Sequence, residues 1–145
     1  MNVNDFIVKF RTAFGDYELP VAFWYSDAPA GNVNKTKGCF IKDLKPARQG
    51  NIVSLNEEAI SCHGGKTYTG FAPAPPFIPD FVSIKEKYKQ APDDVRKFIS
   101  DLDMSDKSCF YLNFVTIDNI ESFDNIEGLI FFATPDVLSG LVAWT

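Results

Sequence analysis

The sequence predicts a single domain of the α/β or α+β class, with interleaved helices and short strands around one mixed sheet. Two observations predict it. Segments with apolar residues at helical spacing alternate along the chain with short, continuous runs of β-branched and aromatic residues. The length of 145 residues fits one domain with a real core, and no internal repeat is visible.

Residues 3–14 predict the first helix, because Val3, Phe6, Ile7, Phe10 and Phe14 recur on one face and Gly15 is a natural stop. Pro20 to Tyr25 is continuously apolar and predicts a strand buried on both faces. Asp27 to Lys37, rich in Pro, Gly, Asn and Lys, predicts a loop. Cys39 to Gln49 predicts a second helix, with Phe40, Ile41, Leu44 and Ala47 on one face and Gly50 after it. Pro46 conflicts with an unbroken helix, so this segment is expected to kink or to split into two short turns.

Asn51 to Leu55 predicts a short strand, and Asn56 to Ile60 a turn. Phe71 to Pro79 holds four prolines and is expected to be irregular or extended. Asp80 to Lys89 fits helix and loop equally. Pro92 to Leu102 predicts a helix, with Pro92, Asp93 and Asp94 at its start and Val95, Phe98, Ile99 and Leu102 as its stripe. Cys109 to Ile117 predicts a strand, with Phe110, Leu112 and Phe114 on one face and Tyr111, Val115 and Ile117 on the other. Leu129 to Ala133 predicts another buried strand. Pro135 opens a last helix whose apolar face is Val137, Leu138, Leu141 and Val142. That helix reaches the end of the chain without a cap, which reads as a shortened chain.

Composition bounds the function. The chain is 46% hydrophobic and 23% charged, in the range of soluble globular proteins. Its 14 phenylalanines point to a dense aromatic core, with an apolar pocket as the second reading. The net charge is −5, and Lys and Arg read as scattered, which argues against nucleic-acid binding. No apolar run approaches the ~20 residues of a membrane span, and the first residues lack the pattern of a signal peptide. The cytosol is the expected compartment, where three cysteines without a CxxC pair should be reduced.

Chemistry-bearing residues concentrate between Gly38 and Phe71, which hold two of the three cysteines and the only histidine. Cys39 and Cys62 are each placed where a helix begins, and unpaired N–H groups there favour anions, thiolates or metal ions. His63-Gly64-Gly65-Lys66-Thr67 ends like a phosphate loop. The Walker pattern, however, needs a glycine where Ile60 stands, so a P-loop is rejected.

The order of these residues resembles the DUF169 family, a prokaryotic group of uncharacterised proteins. A Pro-Val-Ala strand at Pro20 precedes a cysteine that opens a helix, Cys39, which closes with Ala47 and Gly50. A second cysteine follows a short strand, with Gly64, Gly65, Gly70 and Phe71 after it. Pro92-Asp93 and Pro135-Asp136 complete the pattern, which covers most of the chain from Pro20 onward. The resemblance implies a cytosolic α/β protein and brings no catalytic mechanism. It also implies that relatives are longer, with a further glycine- and cysteine-containing segment, so this chain reads as a C-terminally truncated member.

Three functional readings follow. The first is a binding module that uses Cys39, Cys62, Gly64 and Gly65 to hold a small or anionic ligand, with Trp24, Tyr25 and Tyr68 lining the same crevice. In this reading Cys39, Cys62 and His63 are also candidate ligands for a metal ion or an iron–sulfur cluster, although a tetrahedral site needs about four. The second is a thiol-dependent enzyme with Cys39 or Cys62 as nucleophile and His63 as base. The third gives the cysteines a structural role, with function in a missing C-terminal segment or a partner surface.

Overall fold

The computed structural model describes residues 2–102 and 109–144. Its first helix, α1 (Val3–Phe14), begins where Asn2 Oδ1 accepts the N–H of Asp5 and ends at Gly15, whose φ is +63°. The predicted stripe is real: Phe6 and Phe10 are buried beneath it.

Five strands form one mixed sheet: β1 (Val21–Ser26), β2 (Asn32–Val33), β3 (Val53–Leu55), β4 (Tyr111–Thr116) and β5 (Gly128–Ile130). Their order is β2-β3-β4-β1-β5. Only the β2–β3 pair is parallel, which makes this an α+β sheet. β1 is flanked on both sides, as its apolar run predicts. Its Val21 stands opposite Thr116 and its Tyr25 opposite Leu112.

Alternation along the strands divides the core in two. One face carries Val21, Val53, Leu55, Leu112 and Phe114. It is covered by the 3-10 turn Phe40–Leu44 and the short helix α2 (Lys45–Arg48), through the fully buried Leu44 and Ala47. The other face carries Ala22, which meets α1 through Phe6 and Phe10, and α6 (Pro135–Trp144) through Leu141. The predicted second helix is therefore two turns, and Pro46 sits in the first turn of α2, where its missing N–H is harmless.

The remaining elements are α3 (His63–Tyr68), α4 (Ile78–Asp80), a π-helical turn at Phe81–Lys85, α5 (Pro92–Asp101) and a 3-10 turn at Ile117–Asn119. At the start of α5 the Asp94 carboxylate accepts the N–H of Ala91. Tyr17 Oη donates to Phe132 O at 2.7 Å and accepts from Thr134 N at 2.8 Å, which fixes the approach to α6. Thr145, and with it the expected uncapped end, lies outside the described residues. No helix among the described residues is long and apolar enough to cross a membrane.

Three expectations change, and one buried polar side chain comes to light that hydrophobic spacing does not flag. Residues 27–37 contain β2, a two-residue edge strand with no alternation to announce it. Phe110 is 68% exposed rather than part of the strand's buried face. Leu138 and Val142 of α6 are exposed, and only Leu141 of the predicted stripe joins the core. Asn113 is fully buried in the middle of β4.

Asn113 organises a polar network beneath the loop after β1. Its Oδ1 accepts from Ser54 Oγ at 2.7 Å and from Ala30 N at 3.1 Å. Its Nδ2 donates to Ser26 Oγ at 2.7 Å and to Trp24 O at 3.4 Å. Ser54 Oγ in turn accepts the N–H of Gly31 at 2.9 Å. The loop lies so close that a Cβ on Gly31 would stand 2.2 Å from Ile52 O. Replacing Asn113 with Ala strands a buried hydroxyl and a backbone N–H. It is expected to lower the unfolding free energy by about 2–4 kcal/mol in urea titration. A loss below about 1 kcal/mol would show that water replaces the amide without penalty.

Candidate functional site

The two cysteine-bearing segments are fastened side by side by hydroxyl groups. Thr36 N donates to Ala59 O at 2.8 Å, and Ser61 N donates to Thr36 Oγ1 at 3.0 Å. Gly38 N donates to Ser61 Oγ at 3.1 Å. Thr36 is buried. The chain therefore enters both helical turns, at Cys39 and at Cys62, from one clasp.

Both cysteines stand at the helix starts that the sequence predicts, and they differ in what they do there. Cys62 is half-buried, and its Sγ accepts the N–H of Gly65 at 3.0 Å, so it caps α3. Cys39 is exposed, and its side chain makes no capping hydrogen bond. Both thiols are free, as is that of Cys109.

Gly65 is where the two turns meet. A Cβ there would stand 2.9 Å from Cys62 Sγ and 3.1 Å from the ring of Phe40, the residue after Cys39. Glycine at 65 is thus required by close approach. Its N–H is already bonded to Cys62, so it is not free to cradle an anion as the sequence reading has it. Ile60, which excluded a phosphate loop, is fully buried beside Gly65.

The other candidates separate. His63 is exposed at the first position of α3, and its ring stands edge-on to Phe77, 6.4 Å between centroids. Among the described residues no hydrogen bond joins it to either thiol, and no three side chains of His, Cys, Asp or Glu converge to hold a metal ion. The set Cys39, Cys62 and His63 does not assemble as a three-donor site. Tyr68 is 65% exposed on α3, with its ring 3.9 Å from the Cβ position of the half-buried Gly64. Trp24 falls on the sheet face of Ala22, opposite Tyr25, so these two do not line one crevice. Cys109 lies in another depression, with Asp27, Glu57 and Phe110.

The family model of DUF169, described as uncharacterised ArCR, matches residues 9–144, nearly the whole chain. The chain belongs to the DUF169 family. No curated protein and no solved structure matches this DUF169 chain.

Sequence reasoning missed Thr36 and Ser61, which hold the DUF169 corner together. Their only signal is a small hydroxyl residue shortly before each cysteine, too common to single out. It also missed the role of Tyr25, whose Oη donates to Thr69 O at 2.7 Å and ties the end of α3 to β1. Burial raises the Tyr25 phenol above its ordinary value of 10.0, and the charge of Glu127 adds to this.

Two predictions follow from this geometry. Cys62→Ala removes the cap and is expected to cost about 1–2 kcal/mol, whereas Cys62→Ser keeps an acceptor and should stay within about 0.5 kcal/mol of the parent in urea titration. Folding holds the Tyr25 phenol neutral, so its contribution is complete below the unfolded value of 10.0 and is lost as pH rises through the higher folded value. Stability is therefore expected to fall in that alkaline window. Thermal melts of Tyr25→Phe should show a shallower fall, with a lower starting stability from the lost hydrogen bond.

Proposed function

We propose that this DUF169 chain is a binding module for a small organic ligand, held at the thiol corner with Cys39 as the contact thiol. The observation that carries the reading is the clasp of Thr36 and Ser61. It sets the exposed Cys39 on a turn braced against a second, capped turn. Cys62 is the fixed wall behind it, because its sulfur is engaged with Gly65. Phe40 and Tyr68 supply apolar surface at the same corner.

The geometry favours binding over the two other chemistries considered. A thiol enzyme needs a base within hydrogen-bond reach of its sulfur, and His63 stands against Phe77. A metal or cluster site needs about four donors, and the corner offers two sulfurs.

The test is native mass spectrometry of the whole chain purified without air. The expected result is a small molecule retained by the parent and by Cys62→Ser and lost from Cys39→Ser. No retained molecule, or equal retention by Cys39→Ser, overturns the reading.

A further inference from the structure

A different part of the same face carries a concentration of positive charge. The stretch 35–48 holds five basic residues, Lys35, Lys37, Lys42, Lys45 and Arg48, and one acid, Asp43. The chain as a whole has the opposite balance, 14 basic residues against 19 acidic. Folding gathers this charge. A cavity of about 420 Å³ opens between the β2–β3 edge of the sheet and the turns at Phe40–Arg48. It is lined by Lys35, Lys42 and Lys45 together with Asn32, Asn34 and Asn51, and among the described side chains no carboxylate lines it.

Lys42 and Lys45 also border a neighbouring depression with Glu18, whose carboxylate is engaged by Arg48. Arg48 is held by Glu18, bidentate, and its guanidinium lies over the ring of Phe132. Among the described side chains no ion pair involves Lys35, Lys42 or Lys45. Like charges around a concave, partly apolar surface focus the field into it and favour an anion there. The floor is apolar, through Pro46, Ile52 and Leu55. The volume lies in the range of small-molecule sites.

The walls are fixed before any ligand arrives. One wall, Asn32 to Lys35, belongs to a segment bonded at Ala30 and Gly31 to the Asn113 network and at Thr36 and Gly38 to the 59–61 segment. The other, Lys42 and Lys45, stands on turns anchored by the fully buried Leu44 and Ala47. Residues 42 and 45 are three apart, so they share a side of the turn.

We infer that this cavity binds a small organic phosphomonoester. The lysines meet the dianionic phosphate, the asparagine amides meet its ester and hydroxyl oxygens, and the apolar floor meets its carbon body. Lysine is a suitable partner because phosphate is read as a point charge by an ammonium group. This site is separate from the thiol corner, and its test does not depend on that reading.

The experiment titrates the whole chain, by isothermal calorimetry or amide chemical shifts, with phenyl phosphate, inorganic phosphate and phenol. Phenyl phosphate is expected to saturate, with inorganic phosphate at least about tenfold weaker and phenol not saturating. The double variant Lys42→Gln with Lys45→Gln is expected to weaken phenyl phosphate by about tenfold or more while its melting temperature stays that of the parent. Added salt should weaken binding to the parent. Cys39→Ser should bind as the parent does. Failure of phenyl phosphate to saturate, equal affinity for inorganic phosphate, or unchanged binding by a folded double variant would each overturn the proposal.

Discussion

Asn113 is the constraint on which the path of the segment after β1 depends. A buried side-chain amide is tolerated only when its donors and acceptor are met, and here they are met by two serines and two stretches of backbone. The network joins three adjacent strands, β3, β4 and β1, through Ser54, Asn113 and Ser26. It also holds down the loop that follows β1. A one-residue slip of β4 would turn Asn113 toward Phe23 and Phe40, so the network specifies register as well as loop position. Gly31 fits because nothing larger could lie against Ile52.

The consequence runs along the chain. From Ala30 the backbone is led past the edge of the sheet as β2 and then into the Thr36–Ser61 clasp, which delivers it to Cys39. Both candidate regions, the thiol corner and the basic cavity, are reached through this one pinned segment. The helical cover on this side is short, because Pro46 forbids a continuous helix through residues 39–49. Short turns leave the sheet edge incompletely covered, and the cavity is the space that results. The opposite face is closed by α1 and α6 over a Phe-rich core.

Hydrophobic period made the framework legible. α1, β1, α5 and β4 were each readable from the spacing of Phe, Val, Leu and Ile, and the Pro46 conflict correctly forecast two turns in place of one helix. What was hidden was non-local. β2 is two residues long and exists through pairing with β3, twenty-one positions away from Asn32 at Val53. Asn113 sits among Leu112, Phe114 and Val115, where alternation draws attention to its neighbours. Five basic residues fall within 35–48, and three of them line one cavity once folding brings Lys35 beside Lys42 and Lys45. The cysteines were correctly placed at helix starts. That Cys62 uses its sulfur as a cap depends on packing that spacing does not encode, whereas strand alternation alone places Trp24 and Tyr25 on opposite faces.

The most direct test of this account is amide hydrogen exchange at Ala30 and Gly31, whose N–H groups are bonded to the side chains of Asn113 and Ser54. Loop amides ordinarily exchange fast, and those closed by a buried network exchange only when it opens. Core-like protection of both amides is expected in the parent, with its collapse in Asn113→Ala and the protection of α1 retained. Rapid exchange at Ala30 and Gly31 in the parent, or protection undiminished by the substitution, would contradict it.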